Sequence, residues 1–300
     1  MKILVIDIGG TAIKVAFADG EGKISDLQEF ETTAKRGGAH VMRKAIKIAH
    51  DYAEISDYQA IGISTTGQVD TNTGTIVYAN QNVPEYSGTK VRDIFQKEFN
   101  LPTYVENDVN CAAIGETQFG AGKPFNDLLC ITYGTGIGGA IVINRQIYGG
   151  TKGLAGEFGH IMTHPDGIIC GCGQKGCYEQ YASTTALVRN AMKYREDLTS
   201  GRIIFKEWLA GDEKIKVIID KWIDEITIGL VSLIHIFNPN AVILGGGILA
   251  EEYIQKEIDS KIYQKVMASY GDFKIIRAEN KNTAGLLGAS YLAKINAENQ

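Results

Sequence analysis

The stretch ILVIDIGGTAIKVAF, residues 3–17, decides the fold. Its first half is apolar and rich in β-branched residues and predicts a buried strand, and Ile13–Phe17 predicts a returning strand after the turn Gly9-Gly10-Thr11. The same order recurs in the second half, where an apolar strand from Leu128 enters the glycine turn Gly134–Gly139 and a second strand follows. One such unit in each half predicts two related α/β domains that face each other across a cleft.

Alternating helices and strands are predicted between and after these units, with no low-complexity linker. Strands are predicted at about 23–32, 60–64, 103–106 and 241–244, and helices at about 40–54, 90–99, 108–116, 184–197, 213–236 and 284–297. We expect residues 1–118, together with the C-terminal helix 284–300, to form an N-terminal small domain. Residues 119–283 are expected to form a large second domain, whose metal-binding loop is residues 156–179.

The composition excludes several classes of protein. Glycine makes up 35 of 300 residues, roughly 12% against an ordinary 7%, yet there are only 5 prolines and no collagen-type repeat, which excludes collagen and Pro/Gly-rich disorder. The net charge is −5 and no basic block stands out, so we expect no nucleic-acid partner. Asp7 interrupts what would be the apolar part of a signal peptide, and the longest apolar run, Ile228–Phe237, is too short to span a membrane. We therefore expect a cytoplasmic protein with no membrane partner.

Three glycine turns follow the ends of apolar strands: Asp7–Thr11, Gly134–Gly139 and Gly245-Gly246-Gly247. Glycine lets consecutive backbone N–H groups approach phosphate oxygens closely, although each turn taken alone is more typical of an ordinary tight hairpin. Asp7 adds a carboxylate that could hold Mg²⁺ beside the phosphates, directly or through water.

The spacing of Gly134, Gly136 and Gly139 also matches the dinucleotide fingerprint G-x-G-x-x-G. That fingerprint requires a helix after its glycines, and the following Ala140–Asn144 predicts a strand instead. Hydride transfer is therefore excluded.

A cluster of cysteine and histidine carries the strongest chemical signal. His160 is followed by Cys170, Cys172 and Cys177, which is a closed tetrahedral ligand set typical of structural zinc, with disulfide pairing as the alternative. Glu157 and Glu179 flank this cluster, either as surface charge or as two rigid acceptors for a polyhydroxylated ligand. Asp108 follows a predicted strand, either as the N-cap of the next helix or with its side chain directed into the cleft.

Together these segments resemble the ROK family of sugar kinases and sugar-responsive repressors, from Asp7 to the last helix. The pattern Gly156-Glu157-x-Gly159-His160 and Cys170-x-Cys172-Gly173-x-x-Gly176-Cys177-x-Glu179 is similar to the family's zinc signature throughout. The resemblance implies two actin-like, ribonuclease H-like α/β domains with ATP and a sugar in the cleft. It also implies Mg²⁺ with the ATP and structural Zn²⁺ in the cysteine loop. We expect a homodimer.

The resemblance also implies a role for each matching residue. Asp108 would be the base that takes the proton from the primary hydroxyl of the sugar. The sugar would be bound by Gly67, Asn82, Asn107, Asp108, Glu157, His160 and Glu179. The nucleotide would be bound by Asp7, Gly9, Gly10, Thr11, Lys14, Gly134, Thr135, Gly136, Gly245, Gly246 and Gly247. Zinc would be held by His160, Cys170, Cys172 and Cys177, with the other ring nitrogen of His160 turned to the sugar.

Two departures from the family pattern concern specificity. Thr65–Asp70 lacks the Pro-Gly that many relatives carry in this sugar loop, and Asn82–Tyr86 lacks their tryptophan. Segments such as Gly74–Tyr78 are most similar to the N-acetylmannosamine branch. We therefore expect an ATP-dependent kinase of the 6-hydroxyl of a hexose or N-acetylhexosamine, with N-acetylmannosamine or glucose favoured. The alternatives are a β-glucoside or fructose kinase and a non-catalytic sugar sensor or repressor. Repressors carry a winged-helix domain ahead of this body, for which the position of Asp7 leaves no room, and the presence of both Asp7 and Asp108 disfavours a sensor.

Overall fold

The computed structural model describes residues 1–298. Its strands are β1 Ile3–Ile8, β2 Ala12–Ala18, β3 Ile24–Glu31, β4 Ala60–Thr65, β5 Gln68–Asp70, β6 Thr75–Tyr78, β7 Thr103–Asn107, β8 Leu128–Tyr133, β9 Ile137–Ile143, β10 Gln146–Ile147, β11 Ala241–Gly245 and β12 Lys274–Arg277. Its α-helices are α1 Gly38–Ala53, α2 Val91–Phe99, α3 Asp108–Phe119, α4 Glu179–Ala182, α5 Thr184–Met192, α6 Gly201–Leu209, α7 Glu213–Phe237, α8 Glu252–Lys265 and α9 Ala284–Glu298. Among the described residues, none of these helices is both long and apolar enough to cross a membrane.

The chain divides into two compact units. The first unit contains residues 1–126, 140–155 and the segment from Glu279 onward, and the second contains residues 127–139 and 156–278. Residues 119–126, 140–155 and 279–283, which the sequence assigned to the second domain, lie in the first unit. Residues 299 and 300 of the predicted terminal segment lie outside the described residues.

The first unit is built on a five-stranded sheet in the order β3-β2-β1-β4-β7. β1 is antiparallel to β2 and parallel to β4, which is in turn parallel to β7. Alternate residues of β1 enter two separate cores: Leu4 and Ile6 pack with Val41 of α1, whereas Ile3 and Val5 pack with Leu286 of α9. Burial on both faces explains why β1 is a continuous apolar run rather than an alternating one.

Helix α9 packs closely on α3 within the first unit. The approach depends on glycine, since a Cβ on Gly288 would lie 1.8 Å from the carbonyl oxygen of Cys111 and one on Gly115 would lie 2.2 Å from that of Ala284. α3, which carries Asp108, is thereby held against the last helix of the chain.

In the second unit β11 pairs in parallel with β8 on one side and with β12 on the other. The long helix α7 buries one face along much of its length, and the indole N–H of Trp222 donates to the carbonyl oxygens of Ala182 and Ser183 at the start of α5. α5 thus begins at a fixed position beside the cysteine loop.

Several boundaries differ from the sequence predictions. β9 begins at Ile137, so Gly138 and Gly139 lie in a strand rather than in the glycine turn, and the ring of Phe158 occupies the space of a Gly139 side chain. α5 ends at Met192, short of the predicted 197. Sequence analysis did not predict α4, α6, α8, β12 or the short strands β5, β6 and β10. Most of these are short segments with mixed exposure, in which periodicity is weak.

Candidate functional site

Three parallel strands of the first unit bring polar side chains to one edge of its sheet. Asp7 of β1 lies in register with Ser64 of β4, and Thr65 of β4 lies in register with Asn107 of β7. We call this the carboxyl edge, defined by Asp7, Ser64, Asn107 and the following Asp108. In open α/β sheets, ligands bind beyond the carboxyl ends of the strands.

Asp7 is held by partners from two neighbouring strands. The Ser64 hydroxyl, which is completely buried, donates a 2.7 Å hydrogen bond to Oδ1 of Asp7. The Lys14 ammonium lies 3.4 Å from Oδ2, and the two side chains keep 20% and 16% of their surface exposed. The second carboxylate oxygen of Asp7 therefore faces a cation and solvent.

Asn107, and not Asp108, is the N-cap of α3. The Asn107 side-chain oxygen accepts hydrogen bonds from the backbone N–H groups of Val109 and Asn110, at 2.9 and 3.1 Å. Asp108 is the first residue of the helix and leaves its carboxylate free of the capping role proposed as one alternative from the sequence.

The Asp108 carboxylate is half-buried and held through one oxygen. Oδ1 accepts from the side-chain nitrogen of Asn107 at 3.0 Å and from the backbone N–H of Val109 at 2.9 Å. Loss of hydration and, second, the negative charge of Asp7 raise the pKa of Asp108 to about 7, against the lowering effect of these two donors. A carboxylate whose pKa is near neutrality is suited to exchange protons with a ligand.

The two predicted sugar-contacting residues Gly67 and Asn82 differ in position: Gly67 lies next to Asn107, whereas Asn82 lies in an exposed loop. The carbonyl oxygen of Gly67 accepts from the Asn107 side-chain nitrogen at 2.9 Å, and its φ of +95° together with a Cβ clash against the Tyr78 carbonyl oxygen requires glycine. Asn82 is exposed, and its backbone N–H donates to Oδ1 of Asn80 at 2.9 Å. The predicted contact of Asn82 with a sugar stays a prediction.

The glycine turn of the first unit is a tight hairpin between β1 and β2. The Gly9 N–H donates to the carbonyl oxygen of Ala12 at 2.9 Å, while Thr32 Oγ1 donates to the Gly9 carbonyl oxygen at 2.7 Å. Gly10 and Thr11 are exposed, and a Cβ on Gly10 would meet open space. Their backbone can thus be approached by a ligand.

The second unit brings a second glycine turn close to Glu179. Gly134 and Thr135 are exposed, with carbonyl oxygens that accept from Thr184 N–H and Thr185 Oγ1 at the start of α5. A Cβ on Gly136 would lie 2.6 Å from Oε2 of Glu179. Two groups that the sequence assigned to different ligands, one to nucleotide and one to sugar, are therefore adjacent.

The third glycine segment follows β11 in the second unit. Gly245 is buried at the end of the strand, whereas Gly246 and Gly247 are exposed. Gly246 has φ of +120° and its Cβ would lie 2.2 Å from the Tyr133 carbonyl oxygen, so this position requires glycine.

The predicted metal ligands come together in the second unit. One ligand atom from each of His160, Cys170, Cys172 and Cys177 lies within 4.8 Å of the others. The Sγ atoms of Cys172 and Cys177 are 3.5 Å apart, and Nδ1 of His160 is 3.8 Å from Sγ of Cys170. Ligands about 2.3 Å from a tetrahedral zinc ion would lie about 3.8 Å from one another, so the set fits such an ion. No disulfide joins the cysteines of the described residues.

The two glutamates beside the metal cluster differ in position. Glu179 opens α4 and its Oε1 accepts from Sγ of Cys170 at 3.1 Å. Glu157 is exposed before the short helix Phe158–His160, and its carbonyl oxygen accepts from the His160 N–H at 3.0 Å. Both carboxylates are thus attached to the segment that carries the metal ligands.

Two polar residues of the first unit, Ser64 and Asn110, were missed by sequence reasoning. Glu106 is 8% exposed; its Oε1 accepts from the Asn107 N–H at 2.7 Å and from the Asn110 side chain at 3.0 Å. Burial raises the pKa of Glu106. Glu106 and Asn110 line a cavity of about 490 Å³ in this unit. The position of Ser64 near the end of β4 was a usable signal, since polar groups at strand ends face the ligand edge of such sheets, whereas Asn110 lies in α3.

Comparison with known proteins points to one family. A glucokinase from Streptomyces coelicolor is 35% identical over 315 residues, which cover 96% of each chain. A beta-glucoside kinase from Listeria monocytogenes is 32% identical over 299 residues, which cover 97% of each. The crystal structure of a ROK family glucokinase from Streptomyces griseus in complex with glucose and AMPPNP is similar with a TM-score of 0.88 and 32% identity, over 98% of this chain and 100% of that one. These similarities confirm the predicted mixed α/β kinase fold and support sugar-kinase activity. Because the ROK family model also matches residues 3–296, the chain belongs to the ROK family.

Proposed function

We propose that the protein transfers the γ-phosphoryl group of ATP to the 6-hydroxyl of a hexose or N-acetylhexosamine, with glucose and N-acetylmannosamine as the favoured acceptors. The observation that carries this proposal is the carboxyl edge of the first unit. There a half-buried Asp108 with a pKa near 7 shares the end of one sheet with Asp7 and Lys14 in a chain of the ROK family. Free thiols and ATP occur together in the cytoplasm, where we place the reaction.

In the proposed reaction Asp108 acts as the general base. Its Oδ1 already accepts hydrogen bonds from Asn107 and Val109, so we assign the other oxygen, Oδ2, to take the proton of the 6-hydroxyl. The sugar oxygen then forms a bond to the γ-phosphorus as the bond to the β-phosphate oxygen breaks and ADP leaves. Positioning and charge neutralisation carry most of the catalysis in such transfers.

The phosphates are assigned to the glycine turns and to Lys14. In the first unit the residues are Gly9, Gly10, Thr11 and Lys14, and in the second they are Gly134, Thr135, Gly136 and Gly245–Gly247. The backbone of Gly10, Thr11, Gly134, Thr135, Gly246 and Gly247 is exposed. Asp7 fits a hydrated Mg²⁺ through its outward oxygen, which faces solvent and Lys14. Bound with ATP, Mg²⁺ would supply positive charge that neutralises the charge developing on the phosphates.

Residues for sugar recognition are proposed in each unit. Asn107 and Asn82 would contact the sugar together with the backbone of Gly67, while Glu157, His160 and Glu179 would accept or donate to ring hydroxyls. His160 turns Nδ1 to the cysteines, which leaves Nε2 for the sugar. A structural zinc ion would fix the tautomer and orientation of this ring.

The nature of the acceptor is tested by ADP release with glucose, N-acetylmannosamine, N-acetylglucosamine, mannose, fructose and a β-glucoside. We expect turnover with glucose or N-acetylmannosamine and none with the matching 6-deoxy sugar, which lacks the reacting hydroxyl. A β-glucoside is the second candidate acceptor, favoured by the Listeria monocytogenes relative. Absence of turnover with every sugar would overturn the proposal. The expected homodimer is tested separately by light scattering.

A further inference from the structure

The Asp7 carboxylate is asymmetric in its surroundings, and the cause is Ser64. Asp7 and Ser64 are register partners on adjacent parallel strands, and the Ser64 hydroxyl donates to Oδ1 at 2.7 Å from a completely buried position. A hydrogen bond from a rigid strand fixes both the rotamer of Asp7 and the rotation of its carboxylate.

Two further groups enclose the same side of Asp7. The buried Cys111 of α3 lies close enough to Ser64 to interact with it, and a Cβ placed on Gly285 of α9 would lie 3.1 Å from Oγ of Ser64 and 3.5 Å from Oδ1 of Asp7. Gly285 therefore leaves just enough room for the pair. Oδ1 is enclosed by β4 and α9, whereas Oδ2 faces Lys14 and solvent.

We propose that Ser64 is a positioning residue. Its hydrogen bond holds Oδ1 of Asp7 within the protein, so that only Oδ2 is available to the metal–nucleotide complex. Gly285 is the backing position that keeps this hydrogen bond at its length. Asp7 then binds a hydrated divalent cation through a single oxygen. Without the Ser64 hydroxyl the carboxylate is free to rotate. This inference rests on the proposed function for the identity of the metal–nucleotide ligand.

Two different substitutions, one at Ser64 and one at Gly285, should both disturb the hydrogen bond between Ser64 and Asp7. Ser64→Ala removes the donor. Gly285→Ala keeps the donor but places a Cβ 3.1 Å from Oγ of Ser64, so that Oγ must shift by a few tenths of an ångström from its present position. The matched control is Ser290→Ala in α9, since Ser290 is equally buried and its hydroxyl donates at 2.7 Å to the Leu287 carbonyl oxygen. The control removes a buried serine hydrogen bond of the same length in the same unit without touching Asp7.

The test measures binding of Mn²⁺ in the presence of ADP by electron paramagnetic resonance, alongside the Mg²⁺ dependence of turnover. We expect Ser64→Ala to weaken Mn²⁺ binding roughly tenfold, as is usual when a group that orients a ligand is removed. Gly285→Ala should change binding in the same direction by roughly threefold, with Ser290→Ala within about twofold of wild type. The KM for the sugar should be unchanged in all three.

Wild-type-like Mn²⁺ binding in Ser64→Ala would overturn the inference, as would an equal loss in Ser290→Ala or absence of Mn²⁺–ADP binding in the wild-type protein. The resonance measurement needs no turnover. A protein that binds Mn²⁺–ADP but phosphorylates no sugar would contradict the proposed function while leaving the role of Ser64 to be judged on binding alone.

Discussion

The side-chain amide of Asn107 donates a 3.0 Å hydrogen bond to Oδ1 of Asp108 while its own oxygen caps the helix that Asp108 begins. One residue thus fixes the first turn of α3 and the orientation of the carboxylate. The two functions use different atoms of the amide, so they can be separated by substitution.

Asn107→Ser and Asn107→Ala should differ in stability but agree in their effect on Asp108. Serine is a good N-cap and alanine is not, so the alanine variant should lose about 1 kcal/mol more of unfolding free energy. Both lose the donor to Asp108, which should raise the pKa of Asp108 by roughly 0.5–1 unit, the equivalent of one hydrogen bond. Denaturant titration and the pH profile of kcat/KM measure the two effects. Equal stability of the two variants would contradict the capping role.

The pH dependence of turnover should follow the raised pKa of Asp108. A base must be deprotonated to accept a proton, so kcat/KM should fall tenfold per pH unit below about pH 7, the pKa of the free enzyme. The acidic limb of the pH profile of kcat should lie at lower pH than that of kcat/KM, because bound Mg²⁺ favours the charged form of Asp108 and lowers its pKa. Steady-state kinetics from pH 5 to 9 test this, and a profile that stays flat down to pH 5 would exclude Asp108 as the titrating base.

The charged Asp108 should lower the free energy of unfolding at alkaline pH, because its pKa is higher in the folded protein than in the unfolded chain. The pKa rises from 3.8 to about 7 on folding, so between these values the folded state binds more protons and the free energy of unfolding falls as pH rises. At pH 8 Asp108→Asn should therefore be more stable than wild type by roughly 2–4 kcal/mol, with the gap narrowing toward pH 5. Thermal unfolding at both pH values measures this. The exposed Asp272 gives the control Asp272→Asn, which should show no such gap.

The metal cluster should contain about one zinc ion per chain and should depend on all three thiolates. Cys172 is exposed, so Cys172→Ser removes almost no packing, yet it should abolish zinc content and lower the melting temperature by roughly 5–10 °C, equivalent to roughly 2–4 kcal/mol. Gln174→Ser, at an exposed position of the same loop, is the control. Elemental analysis and thermal unfolding check both. Full zinc content in Cys172→Ser would remove this residue from the ligand set.

Sequence reasoning succeeded where the chemistry is local. The spacing of Cys170, Cys172 and Cys177 predicted a ligand set that the fold brings together with His160, because most of it lies within one short loop. The hairpin around Gly9 was likewise predicted from adjacent residues.

The missed features depend on contacts between distant segments. Ser64 reaches Asp7 only through the register of β1 with β4, and Gly285 approaches both through the packing of α9. Periodicity cannot supply either, because it fixes the type of an element and not its neighbours. The role of Asp108 was left open between the N-cap of α3 and a side chain directed into the cleft, and the hydrogen bonds show that Asn107 is the N-cap.

Sugar-dependent ADP release by wild type and by Asp108→Asn tests the central claim most directly. The asparagine variant keeps the shape of the side chain but cannot take a proton at Oδ2. We expect turnover with glucose or N-acetylmannosamine to fall by roughly 10²–10⁴-fold, with ADP binding unchanged. Undiminished turnover in Asp108→Asn would contradict the account, since the proton of the sugar hydroxyl would then leave by another route.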